Sequence, residues 1–159
     1  MNILIIFDSI HGNTQKIGNY LFQTLSEKNS TQMYPISQIQ PSDILGYDLL
    51  IVGSPTHGGQ ATPALQHFLS QLPPNSLKGV KLATFDTRFD FNLQKPFLRL
   101  LMKLIGYASP KIAASLQNKG AQLVTPPIGF IVTGTNGPLA KNQLEKAKSW
   151  AQQIIEQAS

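Results

Sequence analysis

Three times the chain runs through a short apolar stretch and leaves it on Gly, Ser or Asp: NILIIFDS (2–9), DLLIVGS (48–54) and VKLATFD (80–86). The apolar residues do not alternate with polar ones, as they would in a sheet wet on one face, so these segments read as strands covered on both sides. Between them the period changes. Ile17, Tyr20, Leu21, Phe22 and Leu25 mark an amphipathic helix over 14–27, and Leu65, Phe68, Leu69 and Leu72 mark another, opened by Thr62 as N-cap with Pro63 in its first turn. Strands alternating with helices call for a parallel sheet with helices on both faces, an α/β architecture. Right-handed crossovers then bring every loop that follows a strand to the same edge. The polar loops at 8–14, 54–62 and 86–94 therefore converge.

The remaining segments fit the same plan. MYPI (33–36) is a short edge strand, because Pro35 cannot donate to an interior ladder. Helical periodicity covers 96–105, breaks at Gly106 and resumes over 109–118. AQLV and IGFIV (128–132) are separated by Pro126 and Pro127, giving one interrupted strand or two. A last helix, with Pro138 in its first turn, carries Leu144, Ala147, Trp150, Ala151, Ile154 and Ile155 on its apolar stripe. The 159 residues support one core, so a single domain over 1–159 is expected. No Cys is present, which removes thiolate catalysis, disulfides and Cys-held metal clusters from the chain's own chemistry. MNILIIFD is too short for a signal peptide and no run approaches the ~20 apolar residues of a membrane span, so a cytoplasmic location is expected.

The loops carry the chemistry. In DSIHGNT, Ser9, Thr14 and the backbone N–H groups around Gly12 and Asn13 can cradle a phosphate at a helix N-terminus, with His11 as a further donor; equally, Ser9 and Thr14 can serve as turn caps. The Lys of a triphosphate loop and the GxGxxG of a dinucleotide fold are both missing, which favours a phosphomonoester. In SPTHGGQATP, Gly58 and Gly59 let backbone amides approach a flat polar ring, and His57 lies where it can cover that ring. Asp86, Thr87 and Arg88 follow the third strand, with Phe89 and Phe91 as stacking surfaces or loop anchors. A Ser-His-Asp hydrolase built from Ser9 or Ser54, His57 and Asp86 lacks the G-x-S-x-G elbow. His11, His57 and His67 have no metal-ligand spacing, and no metal site is expected.

Taken together, these loops resemble those of the flavodoxin family, over essentially the whole chain. Ser9, Gly12, Asn13 and Thr14 match its phosphate loop, with Ile10 and His11 in the variable interior. Ser54, Pro55, Thr56, His57, Gly58 and Gly59 resemble its second flavin loop, where the residue at the His57 position shields a ring face. Asp86, Thr87, Arg88 and Phe89 fall at the third loop but lack its usual glycine, aspartate and tyrosine pattern. GFIVTGTNGPL, with Glu145 and Trp150, is similar to a branch of flavodoxin-domain proteins apart from the acidic shuttles. The resemblance implies a flavodoxin-like three-layer sandwich, a five-stranded parallel sheet in order 2-1-3-4-5, and noncovalently bound FMN held by these loops. The function it implies is FMN-dependent electron transfer. An FMN-dependent quinone reductase, or a binding or regulatory module without flavin, would use the same fold.

Charge bears on partners. The net charge is +5, and residues 78–119 carry eight Lys or Arg against Asp86 and Asp90 alone. Family shuttles are acidic, so a redox partner with an acidic docking face is expected here, alongside a small electrophile such as a quinone. Lys95, Arg99 and Lys103 recur every four residues and share a helix face, while Phe97, Leu98, Leu101, Leu104 and Ile105 fill much of the rest. Such a helix either packs on the core with a solvated basic stripe or meets an anionic protein or membrane surface. No nucleic-acid recognition motif accompanies the basic segment.

Overall fold

The computed structural model describes residues 1–159. Strand β1 (Asn2–Phe7) is buried from Ile3 to Phe7, and its side chains divide by parity. Leu4 and Ile6 enter one core and Ile3 and Ile5 the other, the consequence of a two-residue period in a strand covered on both sides. Strand β3 (Leu49–Pro55) repeats the division, with Leu50 and Val52 opposed to Leu49 and Ile51. Helices α1 (Asn13–Ser26) and α5 (Gln143–Ala158) cover one face, and α2 (Pro63–Ser70) and α4 (Ala108–Gln117) the other. The result is three layers with the sheet in the middle.

All sheet pairings are parallel, in the order β2 (Ser30–Pro35), β1, β3, β4 (Lys81–Phe89), β5 (Gln122–Leu123). The expected 2-1-3-4-5 order is therefore present, and its fifth position is split. β5 pairs Lys81 with Gln122, whereas β6 (Ile128–Val132) takes up the same edge further along, pairing Phe85 with Ile128 through Phe89 with Val132. Pro126 and Pro127, which have no N–H to give a ladder, lie in the gap.

Beneath β4 the rings of Phe85, Phe130 and Trp150 meet edge to face, with centroids 5.9, 6.0 and 6.1 Å apart. Gly53 lies opposite Phe85 in the ladder, and a Cβ there would collide with the Phe85 ring. The glycine makes room for the aromatic cluster.

Three sequence expectations are corrected. The strand expected to end at Asp86 continues through Thr87, Arg88 and Phe89, because β6 supplies a ladder for those residues. The edge strand starts at Ser30 rather than Met33, paired from Asn2 onward. Pro138 precedes the last helix instead of opening it: Leu139 bridges back to Val132, and α5 begins only after Asn142 at φ 64°. Leu144 accordingly stays exposed, while Ala147, Trp150, Ala151 and Ile154 are buried. For helix α3 (Pro96–Ile105) the sequence left core packing and surface contact both open; it buries none of its residues, so it is not a core helix.

Candidate functional site

The sheet order reverses between β1 and β3, and in open α/β sheets ligands bind in the crevice that such a reversal opens at the strands' carboxyl ends. The chain leaves β1 into that crevice. Gly12 stands at the N-cap of α1 with φ +81°, a left-handed conformation that glycine adopts freely, and, lacking a side chain, makes no cap bond of its own. Five successive backbone N–H groups, of Ile10, His11, Gly12, Asn13 and Thr14, donate to no acceptor in the protein. On either side, Ser9 N donates to Asp8 Oδ1 (2.9 Å) and Gln15 N to Ser9 Oγ (3.3 Å). The first turn of α1 carries no acidic side chain, so the positive end of the helix dipole is left uncompensated. A row of donors without acceptors at a helix start suits a multi-oxygen anion.

Two side chains complete this turn. Thr14, almost fully buried, shares a hydrogen bond with Thr87 of β4 at 2.9 Å. Asn13 is buried as well, and its Oδ1 has no partner. An unpaired amide in such a place is costly unless a ligand reaches it, and by turning over it can offer either its oxygen or its NH2. Gly137 packs against it, so closely that a Cβ there would lie 2.5 Å from Asn13 Oδ1.

After β3, His57 and Gln60 exchange backbone hydrogen bonds of 2.9 and 3.1 Å around Gly58 (φ +55°) and Gly59 (φ +73°). Positive φ at both central positions is the type I′ turn, so the glycine pair is required by turn geometry. The turn leaves the N–H groups of Gly58 and Gly59 without acceptors. It is anchored at its base: Thr62 caps α2, accepting from Leu65 N, and donates to Asp8 Oδ2 at 2.5 Å. Gly59 sits against Ile105, where a Cβ would collide. His57 itself is exposed.

At the end of β4, residues 86 and 88 point to one side and 87 to the other. Asp86 is fully buried, and Arg88 donates to both its oxygens (2.5 and 2.6 Å) while Ser109 N donates to Oδ2 (2.8 Å). The guanidinium also stacks 3.6 Å over the Tyr107 ring and crosses β6 at Gly129, where a Cβ would strike it. Its charge is thus compensated at the edge of the site.

These pieces enclose an open cleft of about 200 Å³. Of the residues expected there, His11, Asn13, Thr14, Pro55, Thr56, His57, Thr87, Arg88 and Phe89 line it. Ser9, Gly12, Gly58, Gly59 and Asp86 do not; the glycines and Ser9 shape the turns, and Asp86 lies behind the cleft as the partner of Arg88. Ile10, Val132 and Thr135 line it unexpectedly. IGFIV followed by TGTNG has the same apolar-run-then-glycine form as the other strand exits, and that was the available signal for the last two. The hydrolase reading fails on geometry. Ser54 Oγ donates to Pro55 O and accepts from Thr62 N, and Asp86 is committed to Arg88.

A doubly wound sheet with a row of acceptor-less N–H groups at its reversal point and two further turns beside it places the chain among the open α/β domains, the class whose ligands bind at such a reversal. The model of a flavodoxin domain matches residues 4–89, from β1 to the end of β4, and the chain belongs to the flavodoxin family. Similar solved structures extend the likeness of fold over the whole chain. Oxidised flavodoxin 1 from Bacillus cereus has a TM-score of 0.79 at 20% identity, covering 98% of both chains. Flavodoxin 2 from the same organism has 0.76 at 23%, covering 98% of this chain and 99% of that one. Rubredoxin oxygen:oxidoreductase from Desulfovibrio gigas has 0.71 at 20%, over 99% of this chain but 36% of its own. No curated protein matches by sequence.

Proposed function

We propose that the chain binds FMN noncovalently in this cleft and works as an electron-transfer flavoprotein. The observation that carries the reading is the run of five acceptor-less N–H groups from Ile10 to Thr14 at the start of α1. Their number and the absence of a Lys in the turn fit a single phosphate better than a triphosphate. Family membership supports the same ligand, since flavodoxins hold FMN at this reversal point of the sheet.

The residues present fit the group. The N–H groups of residues 10–14 and the Thr14 hydroxyl would take the phosphate, and the unpaired Asn13 amide would meet a polar group next to it. Gly58 and Gly59 would offer N–H donors to the ring, and His57 and Phe89, which both line the cleft, would supply its covering side chains. Bound FMN supplies one- and two-electron chemistry that no side chain of this chain offers. The protein's part is to hold the ring and set its surroundings. With Arg88 paired to Asp86, little positive potential is added beside the ring. A cleft of about 200 Å³ is smaller than the ~300–1,000 Å³ that encloses whole ligands, so part of the guest stays accessible to a partner.

A second reading, direct reduction of a small quinone-like electrophile, is favoured by one feature: Ile10 (58% exposed) lines the cleft and offers an apolar rim. Purification without harsh dialysis, followed by an absorption spectrum and FMN titration, tests the proposal. Folded protein that stays colourless and ignores FMN would defeat both redox readings in favour of a flavin-free module. Steady turnover of a nicotinamide donor with a quinone would favour the reductase, and flavin reduction only through a protein partner the carrier.

A further inference from the structure

Helix α3 is the one long element that contributes nothing to either core. Its sequence is nonetheless the most apolar of the surface segments. Phe97 (71% exposed), Leu100, Leu104 (75%) and, from the turn before it, Leu93 (81%) stand out from the body of the protein. Phe97, Leu100 and Leu104 fall three and four residues apart, on one face. Leu101 and Met102 are half-buried and seat the helix, Arg99 lies 5.0 Å over the Phe91 ring at one end, and Ile105 packs on Gly59 at the other. The ridge is therefore held in place rather than hanging free. Beside it runs a stripe of Lys95, Arg99 and Lys103, all exposed. From residue 91 to residue 144 the chain has six Lys or Arg and no Asp or Glu.

We infer that α3 is a docking helix for an anionic membrane surface, the Leu93–Phe97–Leu100–Leu104 ridge entering the acyl boundary and the basic stripe meeting the headgroups. A ridge of bulky apolar side chains flanked by cations is the pattern of a helix lying in the membrane interface. A second copy is a poor occupant. Pairing two α3 ridges would bring two sets of Lys95, Arg99 and Lys103 together with no carboxylate in the segment to offset them. An acidic protein would need a matching apolar groove to take four projecting side chains as well as the charge, whereas an anionic bilayer answers both without one. The helix lies beside the cleft through the Ile105–Gly59 contact, so docking would hold the cleft close to the membrane. This inference does not depend on the cofactor.

Flotation of the full chain with vesicles decides it. Binding is expected to vesicles containing about 30% phosphatidylglycerol in phosphatidylcholine and not to phosphatidylcholine alone. Each basic residue near such a surface contributes roughly fivefold, so combining Lys95→Gln, Arg99→Gln and Lys103→Gln should lower partition on the order of 100-fold. Phe97→Ser with Leu104→Ser should lower it at least about tenfold. These side chains are exposed, and circular dichroism will verify that the variants fold. The inference is overturned if the folded wild type binds neither vesicle, or if binding survives Phe97→Ser with Leu104→Ser, which would mean charge attraction alone. An α3-dependent dimer, or an α3-dependent complex with an acidic protein, without vesicle binding would overturn it too.

Discussion

Thr14 Oγ1 and Thr87 Oγ1 lie 2.9 Å apart, joining residues 73 positions apart in the chain and tying the turn after β1 to the end of β4. A hydroxyl can accept and donate at once. With Thr87 as the donor, the Thr14 proton is free to turn into the cleft that both residues line. Thr14→Val should therefore weaken FMN binding by roughly 10- to 100-fold, the range of a lost hydrogen bond to a charged group. Riboflavin, which lacks the phosphate, should be bound almost equally by the two proteins. Titrations with both flavins check this, and an equal loss for both would remove the phosphate role from Thr14.

The pair formed by Asp86 and Arg88 makes a second test, one of stability. Asp86 is fully buried while the Arg88 side chain keeps 17% exposure, so removing the arginine strands a carboxylate inside the protein. Arg88→Met should cost about 3–5 kcal/mol in urea unfolding of the flavin-free protein. Adding Asp86→Asn to it should restore much of that, because the charge left behind is the main cost. Additive losses would show that packing on Tyr107, rather than charge, dominates.

How far the sequence could be read follows from the same residues. β1 and β3 were legible because burial on both faces erases alternation, and Gly12 with Thr14 was legible because a strand that exits through glycine into a helix is a local event. The extension of β4 was not. Thr87, Arg88 and Phe89 look like a loop until β6, some forty residues on, gives them a ladder. The Asp86–Arg88 pair follows from that extension, since residues two apart face the same way only in a strand. The proline pair at 126 and 127 marked the break in the fifth strand, but not that its second piece would pair along the end of β4 and bring Val132 and Thr135 to the cleft. In α3, helical periodicity was legible, but whether its apolar side chains were covered depended on the tertiary structure.

Gly53 offers a test of packing away from the cleft rim. It faces the ring of Phe85, which also meets Phe130 and Trp150. Gly53→Ala places a methyl group where the ring stands, and overpacking of this kind costs about 1–3 kcal/mol. Combining it with Phe85→Leu should lose less than the sum of the two single changes, because the smaller side chain vacates the space. Denaturant midpoints of the three variants check this; strict additivity would mean that the methyl group is accommodated elsewhere.

Lys146 links the edge of the site to pH. Its Nζ donates to Gly129 O (2.7 Å) and lies 5.5 Å over the Phe130 ring. Partial burial pulls its pKa below the usual 10.5, the positive charge of Arg88 pulls it further the same way, and Asp86 opposes them. The folded state thus holds the proton less tightly than the unfolded chain. Below the folded pKa both states are charged and the cost of partly desolvating the ammonium is carried in full. As pH rises through that value towards 10.5 the unfolded chain binds more protons than the folded one, so this group's contribution to stability increases. Urea midpoints of the wild type should gain on those of Lys146→Met as the pH is raised towards 10.5. Arg88→Met should shrink that gain by relieving one of the causes, whereas parallel pH curves for wild type and Lys146→Met would contradict the assignment.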